Sequence, residues 1–127
     1  MSDFNSQHNR VVWIDIPVVD LDRATAFYAA MLNIGVHQQQ FDQFKFSVLD
    51  HQEGNGGCLV PMANDISDKG IIVYLNADGR IRDADAKAEQ FGGKIIEPIH
   101  SIGPHGFRSL LIDSEGNRVA LHSNTDA

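Results

Sequence analysis

The chain has 127 residues, 43% hydrophobic and 21% charged, which suits one globular domain able to bury a core. A net charge of −7 with only ten scattered Lys and Arg residues argues against nucleic acid as a partner, since phosphate recognition needs clustered cations. No apolar run approaches the roughly 20 residues of a bilayer span, a single cysteine, Cys58, excludes an internal disulfide or paired-cysteine metal site, and the polar start lacks the apolar core of a secretory signal, so a cytoplasmic location is expected.

Residues 1–10 read as a flexible tail. Residues 11–18 (VVWIDIPV) alternate apolar and mixed side chains, the period-2 pattern of a strand with one buried face. Asp20 or Asp22 then caps a helix, because a short carboxylate accepts the free N–H groups of the first turn. Ala24, Phe27, Tyr28, Met31 and Leu32 share one face of that helix, which stops at Asn33–Gly35. Phe44–Leu49 and Cys58–Pro61 read as strands around the turn HQEGNGG, and residues 62–69 read as a polar linker.

The same order then returns. Residues 70–77 (GIIVYLNA) read as a strand, 81–91 as a helix closed by Gly92-Gly93, and 94–99, 107–112 and 118–122 as three further strands, the last two joined by the turn DSEGN. Trp13–Asp20 aligns with Ile72–Gly79 and Ala24 with Ala84, with one extra residue near Arg80. Each half therefore reads as strand, helix and three strands: an α+β domain over 11–124, with module one at 11–61 and module two at 70–124.

Two βαβββ modules in this length resemble the vicinal-oxygen-chelate superfamily, the glyoxalase, bleomycin resistance and dioxygenase group. IPVVDLDRATAFYAAML resembles the family's first strand and helix. YLNADGRI followed by AEQFGGKII resembles the second-module strand and helix end. IDSEGNRVALHS resembles its D-P-x-G-N turn and last strand, with Ser114 in place of the proline. The resemblance spans about residues 10–124 and implies mixed sheets curled into half-cups that meet around a pocket, within one chain or across a homodimer. Alternation then puts Val12, Ile14, Ile16, Ile71, Val73, Leu75, Val119 and Leu121 under the helices. It turns Trp13, Asp15, Ile72, Tyr74, Asn76, Ala120 and His122 into the cup.

The resemblance also implies four converging metal-ligand positions. Counted from Asp20 and Asp113, they fall on Trp13, Cys58 or Leu59, Ile72 and Ala120. Three of the four side chains carry no atom that binds a metal, so neither a metal nor another cofactor is expected. The pocket residues expected to meet a ligand are Trp13, Asp15, Cys58, Ile72, Tyr74, Asn76, Ala120 and His122. Phe44 and Phe46 are further aromatic candidates, facing either the pocket or the core.

The reading that follows is metal-independent binding of a small organic molecule. The alternatives are a metal-free isomerase or lyase with Asp15 and His122 as acid and base, or a metal-dependent glyoxalase-type lyase, which the four positions oppose. Whether the protein is an enzyme stays open. His100 and His105 are read in the stretch EPIHSIGPHGF, as a pocket lid or as solvent-exposed histidines.

Overall fold

The computed structural model describes residues 8–127, so most of the expected tail lies outside the described residues; positions 8–10 form no helix or strand. Module one runs β1 (Trp13–Val18), α1 (Leu21–Leu32), β2 (Val36–Phe41), β3 (Phe44–Leu49) and β4 (Gly56–Pro61). Module two runs β5 (Tyr74–Asn76), α2 (Ile81–Gln90), β6 (Lys94–Ser101), β7 (Phe107–Ile112) and β8 (Arg118–Ser123). The sheet orders are β1-β4-β3-β2 and β5-β8-β7-β6. In each, the first and last strands of the module pair parallel and the others antiparallel. The fold is α+β, built from two βαβββ units.

Local chemistry explains the helix ends. Asp20 is the N-cap of α1, its carboxylate accepting from Arg23 N at 3.0 Å. Asn33 closes α1 in the left-handed conformation at φ 54°, which asparagine tolerates. Gly92 does the same after α2 at φ 102°.

The helices lie on one face of each sheet. Ile16, Val18, Leu49 and Leu59 of the first sheet and Leu75, Leu111, Val119 and Leu121 of the second form one core with Phe27, Met31, Ala84 and Ala88 of the helices. A polar tie recurs in both modules beneath the helix. Thr25 of α1 bonds Ser47 of β3 at 2.7 Å, and Ser109 of β7 donates to Asp85 of α2 at 2.6 Å. Burial raises the pKa of Asp85, the Ser109 bond opposes it, and neighbouring Glu89 adds to it.

Two expectations change. The strand expected over 70–77 is confined to Tyr74–Asn76, with Val73 O and Ala77 N adding single backbone bonds to β8. Gly70 sits at φ 87°, so the chain turns before it can join the sheet, and Ile71 is 91% exposed instead of packed under a helix. Conversely, β2 has the sequence VHQQQF, exposed beyond its first residue. It lacks the alternation that marks a half-buried strand, and pairing with β3 alone makes it one.

The modules are joined through the DSEGN turn. Asp113 Oδ1 accepts from the backbone N of Glu115, Gly116 and Asn117, each at 2.9 Å, which shapes the turn. Its Oδ2 accepts from Tyr28 of α1 at 2.5 Å. Glu115 accepts from Val19 N, Asp20 N and the Arg23 guanidinium, and Asn117 donates to Pro17 O. Burial works to raise the Glu115 pKa, but the bonds from Arg23, Asp20 N, Ser114 and Val19 N outweigh it and bring it from 4.5 to about 2.

Candidate ligand-binding site

Side-chain alternation divides each sheet into a helix face and a second, outer face. Since Leu59, Ser47 and Leu49 point at the helices, Cys58, Phe46, Val48 and Phe44 lie on the other side. In the second sheet Ser109, Leu111, Val119 and Leu121 take the helix side, which leaves Arg108, Leu110, Arg118, Ala120 and His122 on the outer face. Phe44 and Phe46 are therefore not core residues.

The registers resolve the open choice at position 58 or 59. Asp15 pairs with Cys58 across β1 and β4, and Tyr74 pairs with Ala120 across β5 and β8. Asp15 aligns with Tyr74 between the modules, so Cys58 is the counterpart of Ala120 and Leu59 belongs to the core.

In module one, Trp13, Cys58 and Asp15 form a short chain. The Cys58 thiol donates to Asp15 Oδ1 at 3.2 Å. Burial first, then this bond, push the thiol up to about 11, against a smaller opposing pull from Trp13. A thiol held protonated is not a ready nucleophile. The Trp13 ring packs edge-on against His51, centroids 5.8 Å apart at 86°.

In module two, Tyr74 starts on β5 beside Ala120, yet its hydroxyl reaches Arg108 on β7 at 2.6 Å. It thus crosses β8 over Ala120, where a methyl group leaves room for a ring. Arg108 Nε donates to His100 Nε2 at 3.0 Å, which requires that nitrogen to bear no proton, and His100 Nδ1 then donates to Pro98 O at 2.8 Å. His100 is a β6 residue, partly buried, and not part of the loop. His105 lies exposed in the short turn Gly103–His105, and its carbonyl accepts from His122 Nε2 at 2.6 Å. Asn76 Oδ1 accepts from Asp78 N at 2.9 Å and so shapes its own turn.

Sequence reading placed Tyr74, Ala120 and His122 on this face but missed Arg108, whose role depends on a tyrosine 34 positions away. Asp15 and His122, considered as an acid and base pair, stand in different sheets with different partners, and no hydrogen bond or ion pair joins them. Ile72 precedes β5 in irregular backbone. An open cleft of about 1190 Å³ lies between the modules, lined by Ile14, Leu32, Ile34, Leu49, Val73 and Arg80 among others. It shares Tyr74 and Asn76 with the residues above, but not Cys58, Ala120 or His122.

The family model of the Glyoxalase/Bleomycin resistance protein/Dioxygenase superfamily matches residues 10–121. The chain belongs to this superfamily. Solved structures agree on the fold. A glyoxalase/bleomycin resistance protein from Albidiferax ferrireducens T118 is 17% identical with a TM-score of 0.73, over 91% of this chain and 98% of that one. A glyoxalase-related enzyme from Fulvimarina pelagi is 13% identical with a TM-score of 0.68, over 91% and 88%. A genomically encoded fosfomycin resistance protein from Listeria monocytogenes is 14% identical with a TM-score of 0.68, over 91% and 93%. Comparison with curated proteins gives no significant match.

Within the superfamily, the four positions expected to carry metal ligands hold an indole, a single thiol, a sec-butyl and a methyl group at Trp13, Cys58, Ile72 and Ala120, so one side chain of the four has a donor atom. This donor set does not fit a divalent ion, which takes imidazole, carboxylate or thiolate. Among the described residues, no three His, Cys, Asp or Glu side chains are grouped to hold one elsewhere. No helix among them is long and apolar enough to cross a membrane.

Proposed function

We propose that the protein binds a small organic molecule on the outer, cup-forming faces of its sheets without using a metal ion. The observation that carries this reading is the residue set at the family's ligand positions, where Trp13, Cys58, Ile72 and Ala120 stand in place of metal donors. The half-buried Trp13, Phe46 and Val48 give aromatic and apolar surface in the first sheet, and the exposed Tyr74 ring gives it in the second. The Asp15 and His122 acid–base alternative has no supporting contact.

Pockets in this reading close between two copies of the chain. The free edges of β1 and β5 and the exposed Phe41, Phe44 and Ile71 support a homodimer.

Trp13 is the sole tryptophan, so its fluorescence reports on one end of the site. Protein purified without chelator is analysed for metals, then titrated with small aromatic compounds with and without EDTA. Saturable quenching that EDTA leaves unchanged is the expected result. A stoichiometric divalent ion whose removal abolishes binding overturns the reading. Light scattering after size exclusion checks the dimer.

A further inference from the structure

The chain is acidic overall, but the outer face of the second sheet is locally cationic. Arg108 and Arg118 both stand there, on β7 and β8, and among the described residues neither forms an ion pair. The register puts a carboxylate on the same face, Glu97 opposite Leu110, and it too makes no ion pair.

The hydrogen-bond inventory of Arg108 is one-sided. A guanidinium has five N–H donors and no acceptor. Arg108 spends one on His100 Nε2 and one on the Tyr74 oxygen, which leaves three. Tyr74 accepts from Arg108, and among the described residues its own O–H proton has no acceptor. Arg118 donates from Nη2 to Gly70 O at 3.0 Å, while its buried Nε has no partner. Arg118 stands opposite Ile112, four residues along β8 from the His122 that faces Arg108, so the open donors of this site are those of Arg108 and the Tyr74 hydroxyl, with Glu97 the one carboxylate nearby and not paired with Arg108.

His100 and Tyr74 also hold the guanidinium in place from two sides, so part of the entropy cost of fixing a long side chain is met before a ligand arrives. Beside this donor set the apolar surface is the ring of Tyr74 itself, 48% exposed and lying over the buried Ala120.

We infer that the Arg108–Tyr74 pair is an oxyanion-binding site, and that the molecule taken up here carries a carboxylate or phosphate group on an apolar body. The inference rests on the small-molecule reading above and names the chemical class of its ligand. Planar bidentate donors match the paired oxygens of both groups, and the bonds are charge-assisted. Net charge does not oppose this, because at physiological salt surface charges beyond about 8 Å are largely screened.

The test is calorimetric titration of the full-length wild-type protein with phenylacetate, phenyl phosphate, phenylacetamide and benzylamine, repeated on Arg108→Gln and Tyr74→Phe. Phenylacetate or phenyl phosphate is expected to bind, and whichever binds more tightly identifies the anion. Phenylacetamide and benzylamine are expected to bind at least tenfold more weakly. Arg108→Gln is expected to weaken the anion roughly tenfold to a hundredfold, and Tyr74→Phe less. If phenylacetamide or benzylamine binds the wild type as tightly as the anions, the inference fails while the small-molecule reading stands. If a folded Arg108→Gln keeps full anion affinity, it fails in the same way. If no compound of any charge binds, both fail together. The wild-type comparison decides the matter even if Arg108→Gln does not fold.

Discussion

The Tyr28 hydroxyl donates to Asp113 Oδ2 at 2.5 Å although the two residues lie 85 positions apart, one on the helix of module one and the other at the turn of module two. Both are buried. Burial, then the Asp113 charge and their bond, raise the Tyr28 pKa well above its usual value, so the phenol keeps its proton and remains a donor. The contact makes the turn a connection between modules as well as a link between β7 and β8.

Tyr28→Phe removes that donor and leaves Asp113 Oδ2 with the Asn117 amide alone, at 3.1 Å. The expected cost is about 1–3 kcal/mol, the range for stripping a partner from a buried charged acceptor. Urea denaturation followed by Trp13 fluorescence measures it. An unchanged midpoint would show that the bond contributes nothing.

Glu115 gives a signed pH dependence. Its folded pKa, about 2, lies below the ordinary 4.5, so its stabilisation is present above pH 4.5 and is lost as pH falls toward 2. The loss is about 2–3 kcal/mol, allowing for solvent around the half-exposed Arg23. Glu115→Gln should flatten stability between pH 5 and pH 2 relative to wild type. Parallel curves for the two proteins would refute the assignment.

Cys58 should be slow to react. With its pKa near 11, roughly one thiol in a thousand is ionised at pH 8. Labelling of the native protein by a disulfide reagent should lag far behind that of the urea-unfolded chain. Asp15→Ala removes a partner that raises the pKa and should speed labelling of the folded protein. Equal native and unfolded rates would show that the thiol is open and ionisable.

Gly93 marks where module two packs under module one. A Cβ there would lie 2.8 Å from Phe27 Cε2 and 2.9 Å from Ile112 O. Gly93→Ala is expected to cost about 1–3 kcal/mol through overpacking, and the larger loss should come from Gly93→Val. Thermal melts compare them, and an alanine variant as stable as wild type would mean that the modules can part at no cost.

The repeat was legible in the sequence because its signals are local. Period-2 alternation in residues 11–18 and 118–122 separates Ile16, Leu121 and Val119 from Asp15, His122 and Ala120, and both helices show their buried faces at 3- and 4-residue spacing. Capping by Asp20 and the left-handed Asn33 and Gly92 likewise follow from a few neighbouring residues. Such features depend on backbone sterics within a turn or two. What the signals could not supply was β2, whose VHQQQF is exposed on nearly every residue, or the early turn at Gly70 that exposes Ile71.

Sequence by itself determined two βαβββ modules, their shared core faces and the residue types at the family's ligand positions. Tertiary structure alone decided which of those residues meet. It joined Tyr28 to Asp113 and Arg23 to Glu115, set Cys58 on Asp15, and carried Tyr74 across Ala120 to Arg108. The physical reason is range. Alternation and capping are set by neighbours in the chain, whereas a hydrogen bond between distant residues exists only after sheet register and module packing have fixed both ends in space.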